Sequence, residues 1–228
     1  AAGTAHLLKE ESITVVIDLW KCYELVDPRC LLEEARALGY PLRLVWLCIQ
    51  LYGQPRAIKA FGAMSEPYAS AQGIIAGCSQ ATTLLMVLTW RAVVRASSIA
   101  PSVSPRGLVD DITIHWTGSN IADSVQLRRA TTSYTEDMGR LGMRVQPDKS
   151  GFVATRAAAA RAFGVHARAL RFESKSWARN LGHDFHGRRP VRKMERKRMA
   201  GLTLKAKRLQ VLKSAAGAKV GIVWKTGL

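Results

Sequence analysis

Cysteine is scarce in this chain of 228 residues: Cys22, Cys30, Cys48 and Cys78, with no Cys-x-x-Cys pair. That pattern argues against a disulfide scaffold or a zinc knuckle and fits a reducing compartment. No apolar run reaches the roughly 18 residues that a membrane-spanning helix needs, so no membrane partner is expected. The first ten residues do not read as a secretory signal. The chain does not begin with Met and reads as a processed, truncated or conceptually translated piece of an intracellular protein. Acidic residues are also few, 17 Asp+Glu against 34 Lys+Arg, giving a formal charge of +17. Hydrophobic residues make up 48%, enough for one sizeable core and too many for a wholly disordered chain.

The charge is concentrated at one end. Residues 1–110 are nearly balanced and 111–150 carry no net charge, whereas 151–228 hold nineteen basic and three acidic residues. Such a block favours a polyanionic partner such as nucleic acid, with a solvated basic tail as the plain alternative. Seven cations fall close together: Arg188, Arg189, Arg192, Lys193, Arg196, Lys197 and Arg198. They suit salt-dependent, sequence-independent contact with phosphates. They also resemble a nuclear-localisation cluster, which would make the protein nuclear in a eukaryote. They form no clean amphipathic stripe with aromatic anchors, so a membrane surface fits less well.

Ile13-Thr14-Val15-Val16-Ile17 is a short, β-branched run that predicts a strand ending on Asp18. Pro28 to Leu38 predicts a helix with Asp27 as cap and Gly39 as terminator. Leu42 to Tyr52 and Ser79 to Ala96 predict two more helices, the latter buried. Arg56 to Phe61 reads as a strand, 62–76 as loop, and 97–105, with two prolines, as another loop. Leu108 to Trp116 predicts two short strands around an Asp-Asp corner. Residues 121–141 predict a helix closed by Gly142, followed by a turn at 147–151 and a strand at 152–155. Ala157 to Ala160 and their neighbours read as helical, Trp177 to Phe185 as a strand pair turning at Gly182, and 190–216 as a basic helix. Strands and helices alternate irregularly, which argues for an α+β fold with an antiparallel sheet. Trp20, Trp46 and Trp90 lie in apolar segments and are expected in the core, as is packing for Trp177.

Asp110 and Asp111 stand together between apolar residues. Adjacent like charges repel and raise each other's pKa, so something must offset them. A hard divalent cation would do so. If the two strands are neighbours, Asp18 approaches the same place, and such acids can hold two ions that activate a hydroxyl and stabilise a leaving pyrophosphate. The plain alternative is a polar hairpin turn. His115 follows on the outgoing strand and is not placed to complete a metal triad. His183 and His186 have no cysteine near them in sequence, which makes zinc a poor fit.

Five segments, taken in order, resemble the palm of a reverse transcriptase, especially the non-LTR retrotransposon and group II intron type. They are Val15-Val16-Ile17-Asp18-Leu19-Trp20-Lys21-Cys22-Tyr23-Glu24, Gly73-Ile74-Ile75-Ala76-Gly77-Cys78-Ser79, Leu108-Val109-Asp110-Asp111, Gly142 to Ser150, and Asn180-Leu181-Gly182. Each alone is weak; the ordered set, over roughly residues 13–185, is specific. The resemblance implies a polymerase palm over 1–187, with antiparallel sheet and packed helices, and a basic, mainly helical extension or partial thumb over 188–228. It implies an RNA-directed DNA polymerase that adds deoxynucleotides to a primer 3′-hydroxyl on an RNA template with two Mg²⁺ or Mn²⁺ ions.

On that resemblance, Asp18 and Asp110 ligate the metals and Asp111 supports them. Tyr23 packs beneath the nucleotide sugar and excludes a 2′-hydroxyl. Gly73 and Gly77 admit close backbone approach, Lys149 lies near the nucleotide phosphates, and Leu181 and Gly182 belong to the primer grip. Three departures stand out. Ala76 replaces the usual Gln, Leu108 replaces the usual aromatic, and only 17 residues precede Asp18 where the family places a basic fingers region. These imply a fragment lacking most of the fingers, and leave a second reading in which the chain is an inactive retroelement remnant that binds nucleic acid through its basic third.

Overall fold

The computed structural model describes residues 11–75, 77–108, 111–175, 177–180, 183–186, 199, 200 and 203. The basic cluster from Arg188 to Arg198, and with it nearly all of the expected 188–228 extension, lies outside the described residues.

The β-branched run forms the longest strand, β1 (Glu11–Trp20), which occupies an interior position in the main sheet. Helices α1 (Pro28–Ala37) and α2 (Leu42–Tyr52) follow. The Asp27 carboxylate caps α1 by accepting from the Arg29 N–H at 2.7 Å, and Pro28 opens the first turn, where its missing N–H is harmless. A two-residue hairpin, β2 (Lys59–Ala60) and β3 (Ala63–Met64), lies partly within the segment expected to be loop. Phe61 and Gly62 turn it with φ of 51° and 84°, the positive pair that a tight hairpin requires. Helix α3 (Ala81–Ser97) leads into strands β4 (Val103–Leu108) and β5 (Asp111–Gly118). A single 3₁₀ turn precedes α4 (Val125–Arg140). Then come β6 (Arg144–Val145), β7 (Gly151–Ala154), α5 (Ala157–Ala169), β8 (Glu173–Ser174), β9 (Trp177–Asn180) and β10 (His183–His186).

The main sheet runs β4-β5-β1-β7-β8, with β6 paired to the end of β1. All pairs are antiparallel except β7–β8, which is parallel and corrects the expectation of a wholly antiparallel sheet. Strand β4 extends into the loop expected over 97–105. Pro105 sits within it because β4 is an edge strand, where a missing N–H is tolerated.

Alternation along β1 divides the sheet into two faces. Ile13, Val15, Ile17 and Leu19 enter the main core with Ile112, Ile114, Trp116 and Phe152. Residues from all five helices share that core, and the Phe152 ring meets Phe163 of α5 edge-on at 5.0 Å. Ser12, Thr14, Val16 and Asp18 belong to the opposite face, where Val16 packs with Val153. The β9–β10 hairpin lies against β5 and β7. Between α3 and α4, Asp137 is nearly buried and accepts from Arg95 at 2.6 Å and Arg140 at 2.8 Å. Two of the expected core aromatics are instead exposed, Trp46 on α2 at 57% and Trp90 on α3 at 48%. Trp90 lines an open groove with Pro105 and Gly107 of β4 rather than entering the core.

Among the described residues no helix is long and apolar enough to cross a membrane. Ile17 is fully buried and pairs with Ile112, next to the Asp18–Asp111 end of the β1–β5 contact. Ile17→Ala is expected to destabilise the chain by about 2–5 kcal/mol, read as a lower urea midpoint with an unchanged slope.

Candidate active site

The antiparallel register from Glu11↔Gly118 to Asp18↔Asp111 sets the site. It places Asp18 directly across from Asp111, because Ile17 and Ile112 are also partners and both point into the core. Asp18 and Asp111 therefore share the opposite face at one end of the strand pair. The expected strand pair is present as β4 and β5, with Asp111 the first residue of β5; Asp110 lies outside the described residues. Like charges on facing strand positions are destabilising by themselves.

The backbone of Asp18 is fixed from the segment 142–150. Its N–H donates to Ser150 Oγ at 3.1 Å, and its carbonyl accepts from the Gln146 N–H at 2.9 Å. Ser150 is fully buried and its own N–H returns to the Gln146 carbonyl. The next residue along the turn, Lys149, places Nζ 3.9 Å from Asp18 Oδ1, with the lysine side chain 63% exposed. At that distance and exposure the pair adds little stability; it does leave a mobile cation beside the carboxylate. Lys175 Nζ donates to the Lys149 carbonyl at 3.1 Å and steadies the turn.

Tyr23 is half-buried against the core edge. The glycine-rich segment is laced to the chain around it: the Gly73 N–H donates to the Val26 carbonyl and the Ile74 N–H to the Tyr23 carbonyl, both at 2.8 Å. Gly73 has φ +96°, and a Cβ there would meet the Tyr23 and Glu24 backbone at 3.2 Å. Gly77 has φ +87° with open space around it. The Tyr52 hydroxyl donates to Cys78 Sγ at 3.2 Å, which pins the same segment to α2 and draws the Cys78 thiol below its ordinary pKa.

Asp18, Trp20, Lys21, Tyr23, Gln146 and Lys149 line one open cavity of about 410 Å³. Of the residues expected from sequence, the fold thus brings Asp18, Asp111, Tyr23 and Lys149 to one end of β1. Gly73 is joined to that end through its contact with Tyr23 and Glu24. Leu181 and Gly182 lie outside the described residues, between β9 and β10. Trp20, expected in the core, is 36% exposed at the cavity edge. Sequence reasoning passed over Ser150, Lys175 and Arg144; the tight turn around Pro147 was the available signal for the first. Among the described residues no group of three or more His, Cys, Asp or Glu is close enough to hold a metal ion.

His115 lies on the same face, four register pairs from the acids. Its Nδ1 is 2.8 Å from Thr14 Oγ1, and burial, above all, pushes its pKa down to about 4. The folded chain therefore resists a proton that the unfolded chain accepts near pH 6.5, and stability falls as pH drops from about 6.5 toward 4.

Three of the solved structures that match share this fold. Apo telomerase from Candida tropicalis truncated from its C-terminal domain matches with a TM-score of 0.57 and 15% identity, over 81% of this chain and 36% of that one. Apo Candida tropicalis telomerase gives 0.54 and 15%, over 77% and 30%. Candida albicans telomerase in complex with a TWJ fragment of telomeric RNA gives 0.53 and 15%, over 81% and 32%. The likeness is one of fold alone, and it assigns no retrotransposon or group II intron lineage. The chain spans about a third of the length of these structures. No protein-family model matches the sequence, and no curated protein matches it.

Two outcomes follow. Gly73→Ala should destabilise by about 1–3 kcal/mol, since the positive φ and the facing backbone both resist a methyl group; chemical denaturation reads this. His115→Gln should flatten the loss of thermal stability between pH 6.5 and 4 relative to the parent.

Proposed function

We propose that the chain is the palm of an RNA-directed DNA polymerase, which joins deoxynucleotides to a primer 3′-hydroxyl on an RNA template. The observation that supports this best is the pairing of Asp18 with Asp111 at the end of β1, with Tyr23 and Lys149 at the same cavity. The reading assigns Mg²⁺ or Mn²⁺, two ions, to Asp18, Asp110 and Asp111. Carboxylate oxygens converging from two strands, at a cavity open to solvent, are a hard donor set that fits such ions. When bound, the ions lower the pKa of the attacking hydroxyl and offset charge on the leaving pyrophosphate.

The chain's own groups do the positioning. Ser150 and Gln146 hold the Asp18 backbone, so its carboxylate needs little reorganisation. Tyr23, half-buried against the core edge, packs in this reading beneath the nucleotide sugar, where a deoxyribose fits and a ribose 2′-hydroxyl collides. Lys149, tethered to Asp18 and otherwise exposed, is placed to meet phosphate charge. Gly73 and Gly77 let the backbone approach a base pair, Leu181 and Gly182 hold the primer end, and the cations from Arg188 to Arg198 meet the strand backbones. The second reading, a nucleic-acid-binding retroelement remnant without catalysis, is favoured by Ala76, where the family's usual side-chain amide is missing.

The test is primer extension on RNA with Mg²⁺ or Mn²⁺ and deoxynucleotides. The parent chain should extend the primer, and Asp18→Asn or the pair Asp110→Asn with Asp111→Asn should slow extension at least about a hundredfold. Duplex binding by the parent with no extension would select the second reading.

A further inference from the structure

At the edge of the Asp18 cavity two cations stand over one indole. Lys21 Nζ stands 5.0 Å and the Arg144 guanidinium 5.7 Å from the Trp20 ring centroid. Both distances are within the range in which the ring quadrupole attracts a cation. The two cations arrive by different routes. Arg144 is the cross-strand partner of Trp20 in the β1–β6 pair, so its position is set by the sheet. Lys21 follows Trp20 directly, with φ of 45°, a left-handed conformation that non-glycine residues rarely adopt. Strain of this kind persists only where surrounding structure imposes it, and it gathers at ligand-binding places.

What sets these two cations apart is that they share one ring at the edge of the cavity. Arg29, Arg91, Arg95, Arg140, Arg156 and Lys149 each have a carboxylate partner. Lys21 and Arg144 form no ion pair with a carboxylate among the described residues; an uncharged ring holds them instead. A ring holds a cation without adding an opposite charge beside it, so the cation stays available to an external anion. Both are exposed. Lys21 and Lys149 line the cavity together with Asp18 and Glu24, and Arg144 reaches the same edge through Trp20.

We propose that Trp20, Lys21 and Arg144 form a phosphate-binding rim, with the indole acting as a post that holds the two cations toward a phosphate group. The phosphate belongs either to a nucleic-acid strand or to a free nucleoside triphosphate. The proposal rests on reading this cavity as one that meets nucleotides, but it requires neither metal nor catalysis.

The test uses the full chain in buffer with chelator and no divalent metal, so that its failure is separate from failure of the extension assay. One arm follows a labelled single-stranded oligonucleotide by anisotropy across a salt series. The other follows a deoxynucleoside triphosphate by ligand-observed nuclear magnetic resonance. Trp20→Leu should weaken binding about three- to tenfold, and Trp20→Phe, which keeps a ring, should restore most of it. The double variant Lys21→Gln with Arg144→Gln alters exposed residues only and carries the test if Trp20→Leu unfolds. For a strand, it should lower the salt slope by about 1.4, two phosphate contacts at about 0.7 each. Loss in the oligonucleotide arm identifies the strand backbone as the source, and loss in the triphosphate arm the nucleotide. Binding by the double variant equal to the parent in both arms overturns the proposal.

Discussion

The antiparallel register between β1 and β5 is the constraint on which the rest depends. It is set by burial rather than by the acids, since Ile13, Val15 and Ile17 must meet Trp116, Ile114 and Ile112 across the strands to fill the core. A slip of one residue would turn that apolar set to the opposite face. Because the register is fixed in this way, Asp18 and Asp111 have no freedom to separate. The hydrophobic core thus holds two like charges together that would otherwise move apart.

The neighbourhood of those acids follows from the same arrangement. Segment 142–150 closes on β1 through the Gln146 and Ser150 hydrogen bonds, and this delivers Lys149 to Asp18. The glycine-rich segment closes on the chain after β1 through Gly73 and Ile74, and this backs Tyr23. Three stretches far apart in sequence therefore meet at one end of one strand. Electrostatics differ between the two layers of the site. Lys149 is tied to a carboxylate, whereas Lys21 and Arg144 are held by a ring and retain their charge.

Much of the fold was legible because it rests on local rules. The β-branched run at 13–17, the Asp27-Pro28 helix start and the glycine terminators at 39 and 142 each carry their own signal. The parallel β7–β8 pair was not legible, since two residues carry no periodicity. The strand through Pro105 was hidden because proline argues against a strand unless the edge position is already known. Trp46 and Trp90 misled for a related reason: an apolar segment identifies a helix that packs, not which of its sides faces the core. The approach of Asp18 to the acidic pair followed from sequence only on the condition that the two strands are neighbours, which β1 and β5 meet at Asp111, but Ser150 as the anchor of Asp18 and the pairing of Trp20 with Arg144 depend on long-range strand pairing that no local pattern encodes.

The most direct measurement is site-resolved broadening of backbone amide resonances as Mn²⁺ is titrated into isotopically labelled protein. The account predicts that amides around Asp18, Asp111 and Lys149 broaden first and together, and that Asp18→Asn removes the effect. Broadening centred elsewhere, or none at millimolar Mn²⁺, would contradict it.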